Sequence, residues 1–270
     1  MKYNIFVSIF VFLLLSACNP DFSTKQKDTK HQSNIKGSKS KTEVVPKQDV
    51  GPRQKVGPSK QEEDINREIK NKLIDDLRNL IEVANMDKEK DIKKLDEEPQ
   101  DQYGISIFKI IGWLSSPGER ISDNTERSKT YRRRVYGFLN AIDTNEFKKF
   151  SEIIRLSALT ESILNSSNTL GGFYDRAISR LYSKKVALDK LDISDLKKLK
   201  NSLEKLFPTK LTVANMFKQL LSDYQNDKNL IKTDATKLSS HVEEIHNQFQ
   251  KIVDTSEKLL DTINSIHSNI

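Results

Sequence analysis

Apolar residues recur along most of this chain at steps of three and four. That spacing predicts α-helices that each bury one face, and no alternating Val, Ile or Thr run bounded by turns predicts a strand. A first helix is expected from Gln61, with Glu62, Glu63 and Asp64 at its electropositive end, running to about Leu95 before Pro99. Its stripe is Ile65, Ile69, Leu73, Leu77, Leu80, Ile81 and Ala84. Next, Ile105, Ile107, Phe108, Ile110, Ile111, Trp113 and Leu114 form a short run that is apolar nearly all round, which predicts a central helix. After Pro117-Gly118 a third helix is expected from about Asp123 to Ala141. Asp143 followed by Glu146 makes a capping box for a fourth, which carries Phe147, Phe150, Ile153, Ile154, Leu156, Leu159, Ile163 and Leu164. Gly171-Gly172 reads as a break before a fifth, through Phe173, Ala177, Leu181, Val186 and Leu188. Asp192 caps a sixth with Leu196, Leu199, Leu203 and Leu206 until Pro208, and Val213, Met216, Phe217, Leu220, Leu221 and Tyr224 make a seventh.

The last helix differs in kind. Leu238, Val242, Ile245, Phe249, Ile252, Ser256, Leu259, Ile263, Ile266 and Ile270 follow steps of four and three, and only Ser256 is polar. A 3.5-residue period of this length is a heptad seam, on a helix about 50 Å long. Its partner is either the rest of its own bundle or a second chain, a homodimer or another protein. The fold class expected is therefore all-α: a bundle of about seven or eight helices over residues 61–270, closed by a long heptad-patterned helix.

The first sixty residues follow other rules. Lys2 precedes an eleven-residue apolar core, Ile5 to Leu15, broken only by Ser8. That is too short to cross about 30 Å of hydrocarbon, which takes about 20 apolar residues, so residues 1–17 read as a signal peptide. Leu15-Ser16-Ala17-Cys18 has the form of a bacterial lipobox, and Cys18 is the only cysteine among 270 residues. In proteins with this box the peptidase cuts between the residues corresponding to Ala17 and Cys18. The cysteine then carries a diacylglycerol and an N-acyl chain, which together anchor far more firmly than one chain does. The other reading is an ordinary secretory cleavage that leaves a free thiol. No cofactor is expected beyond this covalent lipid, and no disulfide framework can form.

Charge sharpens the division. The chain carries +7, and residues 18–60 hold ten Lys/Arg against four Asp/Glu, whereas residues 61–270 hold 34 of each. Basicity therefore belongs to the segment beside the lipid and not to a nucleic-acid-binding face of the folded part. Residues 18–60 contain one aromatic, Phe22, and the imperfect repeat VGPRQK/VGPSK, a composition that predicts a flexible tether. Its lysines either solvate a spacer or meet anionic headgroups.

Catalytic and metal-binding patterns do not emerge. His241 and His246 in HVEEIH stand five residues apart, so their imidazoles point about 140° from each other and do not form the i, i+4 pair that grips one metal. The expectation is solvated histidines, no metal and no enzymatic activity. Arg132, Arg133 and Arg134 in KTYRRRVYGF form the densest charge run of the folded part. They are a candidate contact for an acidic partner or sulfated glycan, or else a solvated, salt-bridged surface.

Two stretches carry a resemblance: YRRRVYGFLNAIDTNEFKKFSEII, and LDKLDISDLKKLKNSLEKL continuing through VANMFKQLLSDYQNDKNLIKTD. With the lipobox and the charged tether, they resemble the outer-surface lipoproteins of Lyme-disease spirochaetes related to complement regulator-acquiring surface protein 1. The resemblance spans roughly residues 61–270. It implies an all-helical domain displayed on the outer membrane, with a C-terminal helix that in some relatives helps form a homodimer. Some relatives capture complement regulators such as factor H, and others bind terminal complement components, plasminogen or matrix proteins. The expected function is accordingly a lipid-anchored, surface-exposed immune-evasion factor that binds a host serum or complement protein. The alternatives are an adhesin or receptor for plasminogen or matrix, and a structural envelope lipoprotein.

Overall fold

The computed structural model describes residues 60–138 and 141–270. The expected signal peptide, Cys18 and the expected tether to residue 59 lie outside the described residues. The described chain folds as an all-α bundle of seven helices: α1 (Lys60–Asp96), α2 (Glu126–Tyr136), α3 (Thr144–Arg155), α4 (Thr160–Lys184), α5 (Ile193–Leu206), α6 (Thr209–Gln225) and α7 (Ala235–His267). Short 3₁₀ turns join several of them, and one small hairpin, β1 (Gly112–Trp113) with β2 (Ser116–Arg120), follows α1.

Local capping chemistry explains the helix starts. The Asp143 carboxylate accepts from the Asn145 and Glu146 N–H groups while Glu146 reaches back, so the expected capping box opens α3. Asp192 accepts from the Asp195 N–H at α5, and Asp234 does the same work for Thr236 and Lys237 at α7. Between α5 and α6, the Tyr174 hydroxyl donates to the Leu206 carbonyl (2.6 Å) and accepts from the Lys210 N–H (2.9 Å). Groups left over at two adjoining helix ends thus satisfy one side chain.

One continuous apolar core runs through all seven helices. Its centre is a cluster of rings: Phe150 stacks on Phe217 at 4.1 Å, and Phe249 of α7 meets Phe217 edge-on at 5.8 Å. Around it α7 lies against α4, α5 and α6, and α1 lies against α2, α4 and α5. Half-buried ion pairs fasten α1 to its neighbours, Asp76 to Lys200 at 2.6 Å and Asp91 to Lys210 at 2.8 Å.

Three expectations need correcting. Gly171-Gly172 does not break the chain, for α4 runs straight through both. A Cβ on Gly171 would stand 2.6 Å from the Cβ of Arg134, so these glycines let α2 cross α4 closely. The break falls earlier, after Arg155, where the Ser157 and Thr160 hydroxyls both donate to the Ile154 carbonyl and end the ladder.

The apolar run from Ile105 to Leu114 is not a central helix. It makes a 3₁₀ turn, Ser106–Lys109, and then enters the hairpin. Ile105, Ile107, Phe108 and Ile111 turn inward from this irregular backbone, while Ile110 and Leu114 face solvent. Left-handed backbone at Gln102, Tyr103 and Gly104 precedes the segment and Gly118 at φ 97° ends its turn, so no helical ladder can run across it.

The third correction concerns α1, whose first ten residues, Lys60 to Ile69, are exposed. Ile65 and Ile69 continue its apolar stripe past the end of the bundle.

Candidate functional site

α2 organises the most polar region of the molecule. The Thr125 hydroxyl caps it, and its single run of three arginines divides between two directions, as a 100° step per residue requires. Arg132 points into the protein and is 2 % exposed. Its Nε and Nη2 grip both oxygens of Glu98 at 2.7 and 2.8 Å, and Nη1 donates to the carbonyls of Ile121 and Asp123 at 2.6 and 2.8 Å. The Tyr136 hydroxyl donates to the same Glu98 carboxylate. Burial, and then the Glu98 charge, push that phenol well above its ordinary range, so it stays protonated and donating. One guanidinium therefore ties the end of α1 to the chain that leaves the hairpin.

Arg133 and Arg134 turn the other way and converge on Asp175 of α4, at 2.6 and 2.9 Å. Burial pushes the Asp175 carboxyl upward, but Arg133 and then Arg134 outweigh it and hold the group below the usual carboxylate range. Neighbouring Asp91 moves oppositely, because burial exceeds the pull of Lys210. The three arginines are consequently not an open basic contact. Their carboxylate partners lie 34 to 42 residues away in sequence, just beyond the end of α1 and on α4.

The hairpin is stapled to α2 beside this network. Arg127 donates through Nε to Glu119 at 2.8 Å and through Nη1 to the Ser115 hydroxyl at 3.0 Å, and its guanidinium covers the Trp113 ring at 4.7 Å. Trp113 Nε1 donates to Ser128 Oγ at 2.9 Å, and its ring meets Tyr131 edge-on at 5.8 Å. Hydrogen bonds from Arg127 and Thr125 hold Glu119 down at about 2, so it is an anion at any physiological pH. The tip bears the most exposed large apolar side chain described, Leu114 at 99 %, with Ile110 at 58 % nearby.

The heptad row of α7 is spent inside the chain. Leu238, Val242, Ile245, Phe249, Ile263 and Ile266 are buried within the bundle, while Ile252 and Leu259 are half-buried against it. Val253 and Leu260 turn fully inward beside them. Packing against three helices asks for a broad apolar face and not a narrow two-helix seam. Within this chain the row's partner is the bundle itself.

His241, His246 and His267 are half-buried, not freely solvated, and His31 lies outside the described residues. His241 Nε2 stands 3.5 Å from a carboxylate oxygen of Asp223, and Asp223 also accepts from Gln219 at 2.7 Å. An open cleft of about 530 Å³ lies beside it, lined by Leu230, Ile231, Lys237, Ser240, His241 and Glu244. Three non-glycine residues in the adjoining loop, Asp227, Asn229 and Leu230, are left-handed. The Asp227 carboxylate holds that loop by accepting from the N–H groups of Lys232 and Thr233 at 2.8 and 3.3 Å. Among the described residues no group of His, Cys, Asp and Glu could hold a metal, and no helix is long and apolar enough to cross a membrane.

The family model described as Borrelia Bbcrasp-1 domain containing protein matches residues 92–268. The crystal structure of BSE31 from the Lyme disease agent Borrelia (Borreliella) spielmanii is 55 % identical, with a TM-score of 0.71, and the match covers 73 % of this chain and 98 % of that one. BSA64 of Borrelia spielmanii is 21 % identical with a TM-score of 0.64, covering 73 % and 96 %. The outer surface lipoprotein BBA64 of Borrelia burgdorferi is 22 % identical with a TM-score of 0.57, covering 74 % and 96 %. These last two share the fold. No curated protein matches the sequence.

Proposed function

The chain belongs to the family of Borrelia Bbcrasp-1 domain proteins, and from that premise we propose that it is an outer-surface lipoprotein whose helical domain binds a host protein. The proposed ligand class is complement proteins or regulators such as factor H, and the role is immune evasion. The observation that carries this reading is the family match over the helical domain, joined to a sequence whose only thiol, Cys18, stands in a lipobox. Cys18 would carry the lipid that holds the protein to the outer membrane, and residues 18–60 would set the domain off from it. The interior of the bundle supports binding over catalysis, because the buried polar groups of α2 are consumed in pairing with one another.

Intact protein immobilised and exposed to human serum at physiological salt is expected to retain factor H or a terminal complement component, read by mass spectrometry of the eluate. Retention of neither overturns the complement assignment. Retention of plasminogen that lysine analogues abolish would assign the protein as a plasminogen receptor. Protease treatment of intact cells tests display: a surface-exposed chain is cleaved, and a periplasmic envelope lipoprotein survives.

A further inference from the structure

Among the described residues the Leu114 side chain at the hairpin tip packs against nothing. Trp113 pairs with Ser116, which leaves Leu114 and Ser115 as a two-residue turn. Such turns favour Asn, Asp and Gly, and a leucine there serves neither turn geometry nor packing. Leu114 touches water over 99 % of its surface and Ile110 over 58 %, within a backbone that is otherwise firmly held. The fastening is extensive: Arg127 grips Ser115 and Glu119, Ser128 Oγ donates to the Arg120 carbonyl at 2.9 Å, and Arg132 holds the carbonyls that follow β2. An apolar knob on a rigid mount loses little conformational entropy when it enters a pocket, which is the property of a binding anchor.

The charges around the tip give the partner's chemistry. Glu119 is neutralised by Arg127, and Glu126 by Lys129 at 3.3 Å. Asp123 accepts from the main-chain N–H of Arg120 at 2.8 Å. Arg120 lays its guanidinium across Gly112, and Nη1 donates to the Ile110 carbonyl at 3.3 Å, beside the exposed Ile110 side chain. Lys109 is exposed and meets no carboxylate among the described residues. Two apolar side chains are thus flanked by two cations that have no ion-pair partner among the described residues.

We propose that the hairpin tip, formed by Leu114 and Ile110 between Lys109 and Arg120, is the element that seats in an apolar, acid-rimmed pocket of the host protein. The proposal rests on the host-binding reading above and names the contact within it. The test uses the intact protein with Leu114→Asp and Lys109→Glu, and Val186→Asp as a control. Val186 is also exposed and lies just beyond the far end of α4. Purified human factor H and whole human serum are the probes, and thermal unfolding checks that all variants fold alike. Leu114→Asp and Lys109→Glu should each weaken capture of the retained protein by about tenfold or more, and Val186→Asp should not. Equal capture by wild type and Leu114→Asp overturns the tip and leaves the host-binding reading standing. No capture by wild type overturns both. A wild-type dimer that Leu114→Asp converts to monomer would assign the tip to a second copy of this chain and overturn the host pocket.

Discussion

Arg132 makes two hydrogen bonds to Glu98 and two to main-chain carbonyls in a place that is closed to water. Its removal would leave the Glu98 carboxylate without its counter-charge, held by the Tyr136 hydroxyl, and two carbonyls without the Arg132 donor, so Arg132→Met is expected to destabilise the fold by about 3–5 kcal/mol. Arg132→Lys should recover little of this, since one ammonium cannot grip both Glu98 oxygens and reach two carbonyls besides. Urea unfolding of the three proteins checks both statements. Glu119 supplies a pH dependence. Its folded value of about 2 lies below the ordinary 4.5, so its contribution is complete above about pH 4.5 and is lost as pH falls toward 2. Trp113 is the sole tryptophan and lies under Arg127, so its emission should shift to the red over that acid range as the staple opens. Glu119→Gln should abolish this transition, and an unchanged titration in the variant would detach the signal from the staple.

At the scale of elements, α7 and the hairpin each show what a hydrophobic pattern alone leaves open. The heptad row on α7 is real, but α4, α5 and α6 already cover it. Ile252→Asp would place a charge against the bundle and is expected to lower thermal stability by about 1–3 kcal/mol without changing the mass in solution. Light scattering beside calorimetry decides the matter. A loss of mass on substitution would instead give this row to a dimer. The hairpin arises from a run apolar enough to be taken for a buried helix. Its four inward residues reach the core because 3₁₀ and extended backbone point side chains in directions that one α-helix would spread over its whole surface.

For the whole molecule, one core links every helix, and the ring cluster of Phe147, Phe150, Phe217 and Phe249 joins elements from the middle of the chain to its last helix. No helix can leave without exposing another, so unfolding is expected to be a single transition in which far-UV and near-UV dichroism coincide. A separate early loss of the near-UV signal would show that the aromatic core loosens before the helices do. The ion pairs of Arg132, Arg133 and Arg134 lie within the domain and fasten its helices to one another, a fixed arrangement that fits the proposed display and binding.

What the sequence by itself determined was whatever depends on near neighbours. The helical class follows from 3.6-residue periodicity, and the starts of α3 and α5 follow from Asp143 and Asp192, whose carboxylates reach only the next turn. The lone Cys18 and the division between a basic segment, residues 18–60, and a neutral one, residues 61–270, are likewise written in composition. Tertiary structure alone decided the rest. Arg132, Arg133 and Arg134 look like a surface patch until Glu98 and Asp175 come near them across 34 to 42 residues of chain. Gly171-Gly172 looks like a break until Arg134 crosses it. Leu114 looks like core until the turn carries it outward. For the arginines and the glycines the deciding partner is distant in sequence, and local periodicity holds no information about a contact that only folding creates.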